Sequence, residues 1–206
     1  MSLRAVIWDV GGVLVRTEDW SFRDALAQRF GRSRRALEEL VWGGEMGIQA
    51  QRGEISPAEL WAYVGQVLDL DPDEIQAFRS QFFAGDVVDQ DLIGWIKSLR
   101  PAYQLGIITN AFADVRAFIE SRLDLGDALD ALVISAEVGI MKPDARIFEI
   151  ALKQLAVSPA EAVFIDDFEH NVQAARQAGL YAVHFASPPQ ARARVQALLD
   201  FPGADV

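Results

Sequence analysis

Five side chains have the types and placement to do chemistry together: Asp9, Thr109, Lys142, Asp166 and Asp167. Each stands at or soon after the end of an apolar run. Ala5-Val6-Ile7-Trp8 leads to Asp9, Gln104-Leu105-Gly106-Ile107-Ile108 leads to Thr109-Asn110, and Ala162-Val163-Phe164-Ile165 leads to Asp166-Asp167. Leu132-Val133-Ile134 runs into the segment Ser135 to Asp144, which contains Lys142. Three carboxylates brought together repel one another unless a cation sits between them. A donor set of oxygen alone, without His or Cys, suits magnesium best. A carboxylate beside that ion can attack phosphorus and form an aspartyl-phosphate. Thr109 could then hydrogen-bond a transferring phosphoryl oxygen and Lys142 offset its charge. Separately each feature has a plainer reading, since Asp-containing turns and Lys-Pro-Asp helix starts are common. Their recurrence at successive strand ends favours phosphate or metal binding.

The elements that must position these groups follow from periodicity. Residues 17–86 carry apolar residues at helical spacing: Phe22, Leu26 and Phe30, then Leu37, Leu40 and Val41, with Trp42 to Gly47 as a flexible break. Ser56-Pro57-Ala58-Glu59 and Asp71-Pro72-Asp73-Glu74 read as capping boxes that open two further helices. From Asp89 onward strands alternate with helices, which predicts a parallel sheet covered on both faces. In such sheets ligands bind outside the carboxyl ends of the strands, where the five side chains fall. The expected fold is α/β, a three-layer Rossmann-like core over 1–16 plus 87–206 with a small helical unit, 17–86, inserted after the first strand.

The 206 residues are 51% hydrophobic and 24% charged, an ordinary globular composition. With no cysteine, disulfides, thiolate zinc sites and a cysteine nucleophile are excluded. The formal net charge of -11 argues against polyanionic partners such as nucleic acid. No window has the length of a membrane span, and Met1-Ser2-Leu3-Arg4 carries no signal-peptide pattern, so a cytoplasmic monomer or homodimer is expected, without membrane or nucleic-acid partners.

Asp9-Val10-Gly11-Gly12-Val13-Leu14, Ile107-Ile108-Thr109-Asn110, Lys142-Pro143-Asp144 and Phe164-Ile165-Asp166-Asp167 resemble, in order and spacing, the four motifs of the haloacid dehalogenase-like hydrolase superfamily. Residues 17–86 look like its C1-type helical cap. Ser135 to Asp144 and Arg52-Gly53-Glu54-Ile55-Ser56 look most like the sugar-phosphate phosphatase branch that includes alpha-glucose-1-phosphatase. The resemblance implies a phosphatase of a small phosphorylated metabolite, sugar phosphates among them, with Asp9 as nucleophile. It implies magnesium held by Asp9, the Gly11 carbonyl and Asp167, with Asp166 bound directly or through water. It also implies a phosphoryl cradle of the Gly11 and Gly12 amides with Asn110.

One departure stands out. Most phosphatases of the superfamily carry a second aspartate two residues after the nucleophile, as general acid, and here that position is Gly11. Three outcomes are open: an active phosphatase that favours good leaving groups or borrows an acid from the cap, a haloacid dehalogenase, or a non-catalytic phosphate-binding protein. Glu18, Asp19 and Glu45 are the candidate borrowed acids. His170 is a candidate substrate contact and His184 a structural residue of the fifth strand. Trp8 and Trp95 are expected in the core, Trp61 inside the cap, and Trp20 and Trp42 are candidate pocket walls.

Overall fold

The computed structural model describes residues 2–200. All four residues of the first strand, β1 (Ala5–Trp8), are buried, and their side chains alternate between two cores: Val6 and Trp8 join one, Ala5 and Ile7 the other. A strand buried on both faces has no polar positions, which is why it reads as an unbroken apolar run. The chain leaves the sheet through Gly11-Gly12 and enters a short strand, β2 (Val15–Thr17). Five α-helices follow: α1 (Ser21–Arg29), α2 (Arg34–Glu38), α3 (Glu45–Gln51), α4 (Pro57–Leu68) and α5 (Pro72–Phe82). Strand β3 (Asp86–Val88) then returns antiparallel to β2. The remainder alternates: α6 (Gln90–Ser98), β4 (Gln104–Thr109), α7 (Val115–Arg122), β5 (Ala131–Ile134), α8 (Ser135–Val138), α9 (Ala145–Leu155), β6 (Ala162–Asp166), α10 (Glu169–Gln177), β7 (Tyr181–His184) and α11 (Pro188–Asp200).

The main sheet has the order β5-β4-β1-β6-β7 and is parallel throughout. Residues of α6, α7 and α11 pack on one face, and residues of α9 and α10 on the other. This is the three-layer architecture expected. Because β1 is central, the connections leave it in both directions, and the crevice beyond its carboxyl end is the topological switch point. In the sheet register Trp8 lies opposite Ile107 and Ile165, so Asp9 and Asp166 emerge level with each other and Thr109 one residue further along its strand.

Helices α4 and α5 start with the expected capping boxes, Ser56 with Glu59 and Asp71 with Glu74. The helices between β2 and β3 bury their own cluster, including Leu26, Leu37, Leu60, Val64, Phe78 and Phe82. Two features differ from the expectation. Residues 42–47 are not a break: Glu39–Gly43 is a π-helical turn, and α3 begins at Glu45. Gly47 lies inside that helix because a Cβ there would come within 2.6 Å of the Val41 carbonyl oxygen. The β2–β3 ribbon was also unexpected, since three-residue strands carry too little pattern to read, and the expected edges of the insert fall within it.

Three contacts tie this unit to the core. Phe112 of the β4–α7 loop is buried in its cluster, Arg79 bonds Asp114 at 2.7 Å, and Gly53 lies so close to Ala136 that a Cβ would fall 2.1 Å from its carbonyl oxygen. Among the described residues no helix is long and apolar enough to cross a membrane.

Candidate active site

Lys142 is the hub of the site. Its ammonium lies 2.8 Å from Asp9 Oδ2 and 2.7 Å from Asp166 Oδ2, and donates to the Ile108 carbonyl at 3.1 Å. All three side chains are nearly inaccessible to solvent. The other Asp9 oxygen accepts the Val10 amide at 2.7 Å. Thr109, the last residue of β4, is buried beside them. Asp9, Asp166 and Asp167 each offer a carboxylate oxygen within 4.8 Å of the others. The sheet register therefore brings the five singled-out side chains, from Asp9 to Asp167, to one edge.

Two of the residues expected in a phosphoryl cradle have hydrogen-bond partners of their own. The Asn110 side chain donates to the Lys142 carbonyl at 2.9 Å and accepts the Lys142 amide at 2.8 Å, so it clamps the peptide that carries the lysine. One amide hydrogen is left for any phosphoryl contact. The Gly12 amide donates to the Val15 carbonyl at 2.8 Å, within the turn. Gly12 has φ +76°, and a Cβ there would lie 2.1 Å from Asp167 Oδ2, so this glycine makes room for that carboxylate. Gly11 differs, since a Cβ there would meet nothing within 4 Å.

Two supporting residues were not singled out. Asn171, buried in the first turn of α10, donates to both Asp166 oxygens at 3.1 Å, and Phe168 donates its amide to Asp166 Oδ1 at 2.8 Å. The Ser135 hydroxyl accepts the Ala111 amide at 2.9 Å, tying the end of β5 to the loop after Thr109.

Burial pushes the Asp9 carboxyl up to about 7, with Lys142 opposing and Asp166 and Asp167 adding to the rise. Burial, then the Asp166 charge, pushes Asp167 up to about 6. Asp167 Oδ1 is also buried without a hydrogen-bond partner. A buried carboxylate oxygen with no partner beside two other carboxylates fits a hard divalent cation with oxygen ligands, which makes magnesium the ion these donors suit.

The haloacid dehalogenase-like hydrolase family model matches residues 3–179. The chain belongs to that family. It is 28% identical over 185 residues to the sesquiterpene phosphatase astK of Aspergillus oryzae, covering 89% of this chain and 90% of that protein. It is 26% identical over 189 residues to D-ribitol-5-phosphate phosphatase of Bacteroides thetaiotaomicron, covering 86% and 89%. It is also 27% identical over 219 residues to mouse acyl-CoA dehydrogenase family member 10, but spans only 20% of that protein. The fold is shared with a family enzyme from Bacteroides thetaiotaomicron, solved with magnesium and inorganic phosphate (TM-score 0.75, 19% identity, 90% of this chain and 95% of that one).

The hydrolase's other sequence candidates lie as follows. Asp19 accepts the Ser21 amide at 2.9 Å, Glu18 lies 3.5 Å from Arg16, and Glu45 accepts from Gln49 at 3.4 Å, so all three acids have local partners. His184 is exposed at the end of β7, with Nε2 2.8 Å from the Asp167 carbonyl. A carbonyl only accepts, so Nε2 carries the proton. His170 lies beside exposed Phe168, their rings 5.4 Å apart. Trp8 and Trp95 meet edge to face at 6.0 Å in the core, and Trp61 is buried in the helical unit.

Proposed function

We propose that this hydrolase is a magnesium-dependent phosphatase of small phosphorylated metabolites, working through an aspartyl-phosphate on Asp9. The single observation that carries this reading is the buried arrangement of Lys142 between Asp9 and Asp166, with Asp167 beside them holding an unpartnered oxygen. Asp9, Asp167 and the Gly11 carbonyl would hold the ion. Asp166, whose oxygens already take Lys142, Asn171 and Phe168, would serve it through water. When bound, the ion supplies positive charge to the phosphoryl oxygens.

In this reading an Asp9 oxygen attacks phosphorus, the phosphorus–oxygen ester bond breaks, and the alkoxide leaves, taking its proton from solvent water. Lys142 orients Asp9 and offsets charge at the phosphoryl group, while the Thr109 hydroxyl donates to one of its oxygens. Water then attacks the aspartyl-phosphate, releasing phosphate and restoring Asp9. Residues 1–16 plus 87–206 would form the catalytic core and 17–86 its cap, closing over the site and excluding water. The relatives' names extend from a sesquiterpene to a ribitol phosphate, so they support phosphate esters as substrates without selecting the alcohol; a sugar phosphate stays within that range.

Hydrolysis of para-nitrophenyl phosphate tests this. Turnover that needs magnesium and is lost in Asp9→Asn is expected. Metal-independent chloride release from 2-chloropropionate would favour a dehalogenase instead, and absence of turnover on any phosphate ester would favour a binding protein.

A further inference from the structure

Asp167 is held differently from the other two clustered carboxylates. Asp9 takes the Val10 amide and Lys142, and Asp166 takes Lys142, Asn171 and Phe168. Asp167 Oδ1, by contrast, is buried without a hydrogen-bond partner, and Oδ2 occupies the space that Gly12 leaves open. With Oδ1 unpartnered, the direction of this carboxylate depends on how its peptide is held.

Asp166 is the last residue of β6, so Asp167 lies one step beyond the sheet. There the Phe185 amide, just past β7, donates to the Asp166 carbonyl at 2.8 Å. The next carbonyl, that of Asp167, is met by a side chain: His184, opposite Asp166 in the register, donates to it from Nε2 at 2.8 Å. The ring thus adds one rung to the sheet at the residue that carries the carboxylate. Nδ1 lies 3.8 Å from Glu169 Oε2, too far for a hydrogen bond, so the carbonyl is what the ring grips. From the other side Gln190 of α11 fixes the histidine's own segment. Its Nε2 donates to the His184 carbonyl at 3.1 Å, and its Oε1 accepts the Ala186 amide at 3.3 Å. A chain of contacts therefore runs from α11 through His184 to the peptide of Asp167. His184 is exposed and belongs to neither cluster of the core, so these polar contacts are its connection to the fold.

We propose that His184 is a positioning residue of the metal site: its bond to the Asp167 carbonyl fixes the peptide from which the Asp167 carboxylate reaches the ion. The inference rests on the magnesium reading above and adds a residue to it. Groups that orient metal ligands without touching the ion typically carry about 10- to 100-fold of metal affinity. This bond goes to the ligand's backbone and not to its carboxylate, so the lower end of that range is expected. Titration calorimetry with magnesium on the full chain should show affinity about tenfold weaker in His184→Phe, which keeps a ring without a donor, and in His184→Ala. His184→Gln, whose side-chain amide can donate in place of the ring, should retain most of it. Thermal midpoints in EDTA separate positioning from a purely structural role. In all three variants they should stay within about 4 °C of wild type, the shift that one net hydrogen bond gives in a chain of this length. Affinity within twofold of wild type in both His184→Phe and His184→Ala, a loss that His184→Gln shares in full, or EDTA midpoints lowered beyond that range in every variant would overturn the inference. A wild type that binds no magnesium would remove the metal reading and the inference with it, whereas magnesium binding indifferent to His184 overturns the inference alone.

Discussion

Replacing Gly11 with aspartate should make this hydrolase faster on esters whose alcohol leaves poorly. The position lies two residues beyond Asp9 and is exposed, its φ is outside the left-handed region, and a Cβ there meets nothing within 4 Å. The substitution therefore introduces a carboxyl group beside the nucleophile without displacing a neighbour. An alkoxide leaving group is strongly basic and needs a proton as the ester bond breaks, whereas para-nitrophenolate does not. The expected gain in kcat/KM for an alkyl phosphate is about 10²-fold, the lower end of what a positioned general acid supplies. That corresponds to about 2.7 kcal/mol at the barrier. For para-nitrophenyl phosphate the expected change is several-fold at most. kcat/KM is the right quantity, because it covers the steps up to departure of the alcohol and is blind to slow hydrolysis of the aspartyl-phosphate. Gly11→Asn is the control, isosteric and without a proton of suitable acidity. If both variants fold and bind magnesium, yet Asp and Asn accelerate the alkyl ester equally or not at all, the assignment of position 11 as the missing acid is wrong.

Other expectations follow from the same geometry. Asp9 and Asp167 have carboxyls raised to about 7 and about 6, so the metal-free native state binds more protons than the unfolded chain between pH 4 and 7. Its stability should therefore fall as pH rises through that window, and magnesium should restore more stability at pH 8 than at pH 5. Thermal melts in EDTA and in magnesium check this, and Asp167→Asn should flatten the EDTA profile; carboxylates held low, such as Asp144 at about 2, stay ionised above pH 5 and do not contribute. Gly12→Ala should weaken magnesium binding by tenfold or more in titration calorimetry, because its Cβ occupies the place of Asp167 Oδ2, while Gly11→Ala should not. Arg23→Met should cost about 3–5 kcal/mol in urea unfolding, since it leaves Asp86 and Glu38 without the buried guanidinium that pairs them. Adding Asp86→Asn should recover part of that loss, and strict additivity would mean that the pair is not coupled.

The strands were legible because burial on both faces writes a continuous apolar run, and β4 and β6 have the bounds that their sequences predict. The carboxylates at their ends were legible for the same reason: a charge closing such a run has to be placed somewhere. Asn171 was not. Polar residues open many helices, and the signal was its position on the buried face of α10 together with Val172 and Ala175. The clamp between Asn110 and Lys142 joins residues 32 apart and depends on loop geometry that no spacing records. Likewise α3 has no side-chain cap and carries an internal glycine, whose purpose is visible only once the Val41 carbonyl is beside it.

The charges at the site can be set against one another. Asp9, Asp166 and Asp167 carry three negative charges when ionised, and Lys142 supplies one positive charge, which leaves a deficit of two in a largely buried space. Without a cation, protons fill part of that deficit, and the carboxyls raised toward neutrality are Asp9 and Asp167. Asp166 is surrounded by donors from Lys142, Asn171 and Phe168. Asp9 and Asp167 are carboxylates with coordination to spare, and one divalent ion would balance the deficit and favour their ionised forms. Lys142 alone can orient Asp9 but cannot keep it ionised against burial and two neighbouring carboxylates, so in this reading the metal dependence of activity follows from the charge of the site as much as from the phosphoryl group it receives.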